Sequence, residues 1–172
     1  MGNLVRSVIL YAVVIALIVG VLKLLKTHER ATIDPNDHSM EAIEFPNGVY
    51  KVNSAALKAE DYKAGDGGDV VSYYVPGKPD APPRVARVLA LPGERVAVER
   101  RKATDPNSPL VVKVNGSPSN LRRTDSTDWH FQEIVVPRGC LFLMADKPSE
   151  GEDSLRVGPV PFYCIRGKLP HG

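Results

Sequence analysis

An apolar run near the amino terminus is the feature that most constrains the fold of this 172-residue chain. Val8–Leu22 contains no charged residue, but its fifteen residues fall short of the roughly 20 that span a bilayer. Flanking leucines and valines extend the apolar segment to about 22 residues if Arg6 and Lys23 reach towards the lipid headgroups. We therefore expect a retained transmembrane helix within residues 1–26.

Two other structures for this run agree less well with the sequence. A cleaved signal peptide needs a small-x-small cleavage site, whereas this run is followed by Lys26-Thr27-His28-Glu29-Arg30. A helix of a soluble core keeps a polar face, and this run is apolar on every face. Both observations favour a helix that stays in the membrane.

Composition limits the class of domain that the remaining residues can form. A hydrophobic content of 43% and a charged content of 24% are ordinary for a globular protein, and the length suits one domain. A net charge of +2, without a basic run interleaved with aromatics, argues against a nucleic-acid partner. We expect a polar neck over residues 27–37 and one domain over residues 38–172.

Short β-branched or aromatic segments separated by turn residues predict a mainly β domain. Asn115-Gly116, between valine-rich flanks, is a strong hairpin signal. A helix over Ser54–Tyr62 is the one further helix that the pattern suggests. The predicted strands are 48–52, 68–75, 85–91, 95–99, 110–114, 134–136, 140–144 and 162–165. Such an arrangement indicates a β-sandwich or a partly open barrel.

The cysteines and histidines predict no metal site and no cofactor. Cys140 and Cys164 match no zinc spacing, and the four histidines occur singly. Two interpretations of the cysteine pair stay open. They are either small buried side chains or one disulfide in an oxidising compartment.

Six short segments between Asp37 and Lys168 carry a family resemblance. They are Ser39-Met40-Glu41; Gly68-Asp69-Val70-Val71; Arg87–Glu94 (RVLALPGE); Val136-Pro137-Arg138-Gly139; a late segment with Ala145-Asp146, Asp153-Ser154 and Gly158-Pro159-Val160-Pro161; and Ile165-Arg166-Gly167-Lys168. In this order, behind an apolar helix, they resemble the type I signal peptidases, which are membrane-anchored serine peptidases with a Ser-Lys pair. The resemblance implies a signal-peptidase-like β domain behind one transmembrane helix.

The resemblance also assigns catalytic positions. Ser39 occupies the nucleophile position, and Ala86 occupies the position of the general-base lysine. A serine hydroxyl is a poor nucleophile unless a base removes its proton, and alanine has no titratable group. Related peptidases of the endoplasmic-reticulum type have a histidine there, which Ala86 does not match either. A substitute base would have to come from elsewhere, with His38, His130 and Lys51 as candidates.

Further positions depart from the family pattern. Asp37 lies beside the expected oxyanion site, where a carboxylate would oppose the transition state unless it caps a turn instead. Gly151 replaces the serine that often supports the lysine, whereas Asp153 is retained. Departures at several positions indicate natural divergence rather than a single engineered lysine-to-alanine change.

Two functions are compatible with this pattern. The first is a non-catalytic family member that serves as a peptide-binding or structural subunit. The alternative is an active serine endopeptidase that cleaves exported precursors with Ser39 and a recruited base. A bound peptide would add a strand beside the nucleophile segment, contacting Met40, Arg87 and Val88. A β binding module on an unrelated anchor does not account for six ordered segments.

Two indications of the domain's location conflict. Lys23, Lys26 and Arg30 outnumber Arg6, so the positive-inside rule alone places the domain in the cytoplasm. The resemblance implies the outer face, where secreted precursors emerge. We expect the outer face, with the lipid bilayer as one partner and exported precursor peptides or a membrane protein complex as another.

Overall fold

The apolar amino-terminal run is helical in the computed structural model of the chain. This structure describes residues 2–26, 28–32, 40, 49–53, 58–101, 105, 108–123, 132–147 and 152–169. Helix α1 spans Gly2–Lys26, and its side chains from Val8 to Leu22 are exposed. Within the described residues, no helix satisfies the criteria of length and apolar character for crossing a membrane. The transmembrane span therefore stays a prediction.

The rest of the described chain is mainly β, as predicted, and forms two antiparallel sheets. The strands are β1 (His28–Thr32), β2 (Val49–Asn53), β3 (Val70–Tyr73), β4 (Arg84–Ala90), β5 (Arg95–Arg100), β6 (Leu110–Val114), β7 (Ser117–Arg123), β8 (Glu133–Val135), β9 (Cys140–Met144), β10 (Val160–Pro161) and β11 (Ile165–Lys168). A seven-stranded sheet has the order β1-β2-β11-β3-β4-β9-β10, and a four-stranded sheet has the order β7-β6-β5-β8. A short helix α2 spans Ser154–Val157.

Two hydrophobic cores lie on opposite faces of the central strands β4 and β9. The first core comprises Tyr62, Val71, Tyr73, Val75, Ala86, Val88, Leu141, Leu143, Val160, Cys164 and Ile165. The second core joins the two sheets and comprises Leu89, Ala90, Val96, Val98, Leu110, Val112, Val136, Phe142, Met144 and Leu155. Alternate residues of β9 enter alternate cores, because successive side chains of a strand point to opposite faces. Burial on both faces explains the continuous apolar sequence of β9.

The Asn115-Gly116 turn joins β6 to β7, which confirms the predicted hairpin. Both residues have positive φ, 49° for Asn115 and 83° for Gly116, as a tight two-residue hairpin turn requires. The Asn115 side chain also accepts a hydrogen bond of 2.9 Å from the amide of Arg95, at the start of β5. This contact ties the turn to the neighbouring strand.

Local structure differs from the sequence prediction at four places. Within the predicted neck, His28–Thr32 forms β1 because β2 offers it a pairing edge. The predicted helix over Ser54–Tyr62 is described only from residue 58 and contains one 3-10 turn, Ala59–Asp61. The predicted strand over 162–165 begins only at Ile165, since Phe162–Cys164 forms a 3-10 turn. No strand in the predicted set covers β7, which pairs with β6 after the Asn115-Gly116 turn.

Candidate functional site

The predicted site residues fall into two groups. Asp37, Ser39 and Gly151 lie outside the described residues. The others are described: Met40, Ala86, Arg87, Val88 and Asp153. Met40 is buried, with 5% of its surface exposed. Three of the described residues, Ala86, Arg87 and Val88, are consecutive on β4.

Ala86, in the position of the expected general base, is completely buried. It lies on β4 directly opposite Val71 of β3, and its exposed fraction is 0%. The side chains that share the first core with it carry no amine, imidazole or carboxylate. At this position the described structure therefore holds a methyl group in an apolar environment, which can neither accept nor donate a proton.

A lysine does lie in the same cross-strand row as Ala86. Lys168 of β11 is opposite Val71, which is in turn opposite Ala86. The Lys168 Nζ is 2.7 Å from a carboxylate oxygen of Asp69 and donates a hydrogen bond of 2.7 Å to the carbonyl of Asp61. Its ammonium also lies 5.7 Å from the centre of the Tyr62 ring. The ammonium is therefore held by several groups at the rim of the first core.

At the same rim of the first core, the pKa of a tyrosine is raised. Tyr62 is 5% exposed, and its ring stacks on Phe162 with 6.0 Å between the ring centres. Burial, with smaller contributions from the negative charges of Asp61 and Asp69, raises the pKa of Tyr62 to about 12. The phenol therefore stays protonated well beyond its ordinary range.

Arg87 points to the other face of β4 and forms a bidentate ion pair. Its Nε and one terminal nitrogen donate to the two carboxylate oxygens of Asp146 at 2.8 and 2.7 Å. The other terminal nitrogen donates to the Gly68 carbonyl at 2.9 Å. The hydrogen bonds to Asp146 raise the pKa of Arg87 above its ordinary value. This side chain thus joins β4, the end of β9 and the loop that precedes β3.

The backbone of Arg87 and Val88 is paired on both edges of β4. Arg87 is opposite Val70 on one side and Met144 on the other. The Val88 amide donates to the Asp69 carbonyl at 2.8 Å, and on its other edge Val88 is opposite Leu143. The sequence predicts that these two positions contact a peptide added as a strand. In the described structure, neighbouring strands already occupy both of their edges.

The loop before β3 packs against β4 because it contains glycine. A Cβ at Gly68 would lie 2.2 Å from the Val88 carbonyl oxygen, well inside van der Waals contact. The amide of Gly65, in the same loop, donates to that carbonyl at 3.1 Å. Glycine is therefore required at residue 68 of the Gly-Asp segment, because the backbones of the loop and β4 approach too closely for a larger residue.

Asp153 and Ser154 have structural contacts. The buried Asp153 carboxylate caps α2 by accepting from the Leu155 amide at 3.1 Å, and it also accepts from the Ala145 amide at 3.4 Å. The Ser154 hydroxyl oxygen accepts from the Leu143 amide at 2.8 Å. These bonds join α2 to β9 and place the late motif against the central strands.

The two cysteines are free thiols in this structure. Burial raises the pKa of both, and at Cys164 the charge of Cys140 adds to the effect. Among the described residues, no group of three or more His, Cys, Asp or Glu side chains is placed to hold a metal ion.

Sequence reasoning missed two interactions that shape this region. The Arg87–Asp146 pair joins two motif segments that are 59 residues apart. The only indication of this pair in the sequence is that both residues belong to segments of the family pattern. The Lys168–Asp69 pair depends on strand register, which no local pattern reveals. Arg87 of the first pair is the neighbour of Ala86 on β4, whereas Lys168 of the second pair lies in the cross-strand row of Ala86, two strands away.

Comparison with known proteins gives the family. The family model of signal peptidase, peptidase S26, matches residues 3–170. No curated protein matches the chain. Among solved structures, the crystal structure of a signal peptidase I from Enterococcus faecalis V583 is 20% identical, with a TM-score of 0.40, over 59% of this chain and 93% of that one. Because the family model matches almost the whole length, the chain belongs to the signal peptidase S26 family.

Proposed function

We propose that this protein is a membrane-anchored, non-catalytic member of the signal peptidase family that serves as a structural or peptide-binding subunit. One observation carries the proposal: Ala86, at the position of the general base, is fully buried in an apolar core. The methyl group of Ala86 cannot accept the proton of a serine hydroxyl, and a serine without a base is a poor nucleophile.

The other candidate bases offer little support for catalysis. Strand β2, which carries Lys51, is three strands away from β4, or about 14 Å at the usual strand spacing. His38 and His130 lie outside the described residues. Lys168 is two strands from Ala86, about 10 Å by the same spacing, and its ammonium is bound by Asp69.

The alternative function is an active serine endopeptidase that cleaves exported precursors. Lys168 favours this alternative more than any other described residue, because it lies in the cross-strand row of Ala86. To act as a base it would have to leave Asp69 and lose its proton. Both steps work against the ion pair, so we place this function second.

Between the two non-catalytic roles, a structural one has more support. The backbones of Arg87 and Val88 are paired on both edges, and the Arg87 side chain is held by Asp146 and Gly68. A peptide could not add a strand at these two residues without displacing β3 or β9. We therefore favour a partner within a membrane protein complex over an exported peptide at this position.

The membrane anchor is part of the proposal. Exposed apolar side chains along α1 support a location in the bilayer, and the family favours the outer face for the β domain. Resistance to alkaline carbonate extraction is the expected result for the full chain. Protease added to intact cells should degrade the domain, and degradation only after lysis would overturn the outer-face placement.

A cleavage assay tests the function. The purified full chain and its Ser39→Ala variant are incubated with a precursor that carries a small-x-small cleavage site. We expect no Ser39-dependent product, and a product that Ser39→Ala abolishes would establish the alternative. In that case Lys168→Met asks whether Lys168 supplies the base.

A second arm asks whether only the base is missing. Ala86→Lys introduces the amine, and Ala86→Met introduces a side chain of similar length without it. If the rest of the site is intact, Ala86→Lys alone should gain Ser39-dependent cleavage. Inactivity of both folded variants is the result expected if other supports have been lost as well.

A further inference from the structure

Strand β8 lies at the edge of the four-stranded sheet and, among the described strands, pairs with β5 alone. Its hydrogen bonds towards that side come from alternate residues. The Gln132 carbonyl accepts from the Val98 amide at 2.8 Å, and the Val136 amide donates to the Glu94 carbonyl at 2.8 Å. Successive residues of an antiparallel strand alternate between bonding towards the partner strand and bonding away from it. The odd-numbered residues of β8 therefore direct their backbone groups away from β5.

Two residues of β8 present unpaired backbone groups in this way. The N–H and C=O groups of Glu133 and Val135 point outward, and no described residue forms a hydrogen bond with them. The Val135 side chain is half exposed, so this edge is accessible. Pro137, which has no N–H, follows the strand and limits the edge to these two residues. Such an edge is a template for one further short strand.

The side chains around this edge define the strand that would fit it. Ile134 points inward and packs against the second core. On the outer face, Arg95 of β5 lies opposite Val135 and forms an ion pair with Glu133, and both charged side chains are exposed. An added strand should therefore place an apolar residue beside Ile134 and an acidic residue opposite Val135, in the row that contains Arg95.

The sequence of β8 itself meets these requirements. In an antiparallel pair of two β8 strands centred on Ile134, each Glu133 lies opposite the Val135 of the other copy. Each Glu133 then enters the row that contains the Arg95 of the other copy, so opposite charges share a row and no like charges are directly opposed. The two Ile134 side chains become neighbours on the inner face. Because the pairing has two-fold symmetry, the outward backbone groups of each copy meet those of the other.

We propose that two copies of this chain associate through β8, so that the four-stranded sheet continues across a two-fold axis. Pairing about such an axis uses the outward edge of both strands, and the assembly therefore closes at two copies. The contact is independent of the proposed function, because neither the general-base position nor the nucleophile position takes part in it. It adds a second copy of the chain to the partners that a structural subunit would have.

Sedimentation equilibrium of the full chain in detergent micelles tests this contact. Val135→Pro removes the outward N–H of each copy and leaves the hydrogen bonds to β5 intact, because Val135 does not donate to β5. Symmetry removes one bond from each copy at once, so the Kd of the dimer should rise by about tenfold or more. Val135→Thr keeps the N–H and the β-branched shape, and its Kd should stay within about twofold of the wild-type value. Thermal unfolding establishes that both variants are folded.

Cysteine cross-linking tests the register of the pair. The two copies of residue 134 would face each other at a non-hydrogen-bonded position, with Cα atoms about 4.5 Å apart, which a disulfide can bridge. Ile134→Cys should therefore form an intermolecular disulfide on mild oxidation with copper phenanthroline. The two copies of residue 135 would lie diagonally, about 8 Å apart, so Val135→Cys should cross-link roughly tenfold less. Peptide mapping separates these bonds from any that involve Cys140 or Cys164.

Three results would overturn the proposal. A full chain that stays monomeric up to its solubility limit, with no cross-link in Ile134→Cys, excludes the contact. A dimer whose Kd is the same in folded Val135→Pro as in the wild type has its interface elsewhere in the chain. Stronger cross-linking in Val135→Cys than in Ile134→Cys excludes the two-fold register centred on residue 134.

Discussion

Neighbouring residues of β4 lie in different environments because their side chains point to opposite faces of the sheet. Ala86 enters the first core, whereas Arg87 pairs with Asp146 on the other side of the sheet. A substitution at residue 86 therefore changes the first core while the ion pair beside it persists.

The Arg87–Asp146 pair should contribute strongly to stability. Its side chains are only 15% and 10% exposed, so Asp146→Asn leaves a poorly solvated guanidinium without its counter-charge. We expect a loss of about 3 kcal/mol in the free energy of unfolding, measured by urea denaturation. The isosteric control Glu99→Gln breaks the more exposed pair with Lys113 and should cost less than about 1 kcal/mol. Equal losses would contradict the assignment.

Tyr62 should make stability depend on alkaline pH. Its pKa rises from 10.0 to about 12 on folding, so the unfolded chain releases this proton first as pH increases. Stability from this group is complete below pH 10 and is lost between pH 10 and about 12, by on the order of 2 kcal/mol. The wild-type and Tyr62→Phe unfolding curves should diverge over this range. Parallel pH dependence of the two proteins would show that the phenol is not responsible.

At the level of elements, the loop over residues 63–69 behaves as an extension of β3. It continues the pairing with β4 through the Asp69 carbonyl, and Gly68 permits the close approach. The Asp69 carboxylate accepts from the Lys63 amide at 2.8 Å and pairs with Lys168. The loop therefore connects three parts of the sheet through a few polar contacts.

Adjacent glycines of this loop provide a matched test. Gly68→Ala places a Cβ 2.2 Å from a backbone carbonyl that cannot move easily, so we expect a loss of about 3 kcal/mol. At Gly67 the nearest atom is the end of the Lys63 side chain at 3.9 Å, and Gly67→Ala should change stability by less than about 1 kcal/mol. Thermal unfolding of both variants measures the difference. Similar melting temperatures would refute the close packing of this loop.

At the scale of the whole molecule, β4 and β9 make the two sheets interdependent. Each strand contributes side chains to both hydrophobic cores, and the second core also includes side chains of the four-stranded sheet. Because both cores depend on the same two strands, we expect the β domain to unfold in one cooperative transition rather than sheet by sheet.

Phe142→Ala tests this cooperativity. The side chain is fully buried in the second core, and its removal should cost about 3–5 kcal/mol. Hydrogen exchange should accelerate in both sheets, including β3, which contributes only to the first core. Val135→Ala, at a residue that is 50% exposed, serves as the control and should have little effect. Acceleration confined to the four-stranded sheet would show that the sheets unfold independently.

The sequence alone determined the local features of this protein. The apolar run predicted a helix, the turn residues and β-branched segments predicted most of the strands, and Asn115-Gly116 predicted a hairpin. Six ordered segments identified the family. These features are encoded by residues close together in the chain, where propensity and periodicity act directly.

Only the tertiary structure decided which residues meet. The row from Lys168 through Val71 to Ala86 and the bond from Arg87 to Asp146 both join distant segments. Strand β1 within the predicted neck exists because β2 lies beside it. Register is set by contacts across the sheet, and a shift of one residue would move every side chain to the other face, so no local pattern could reveal these pairs.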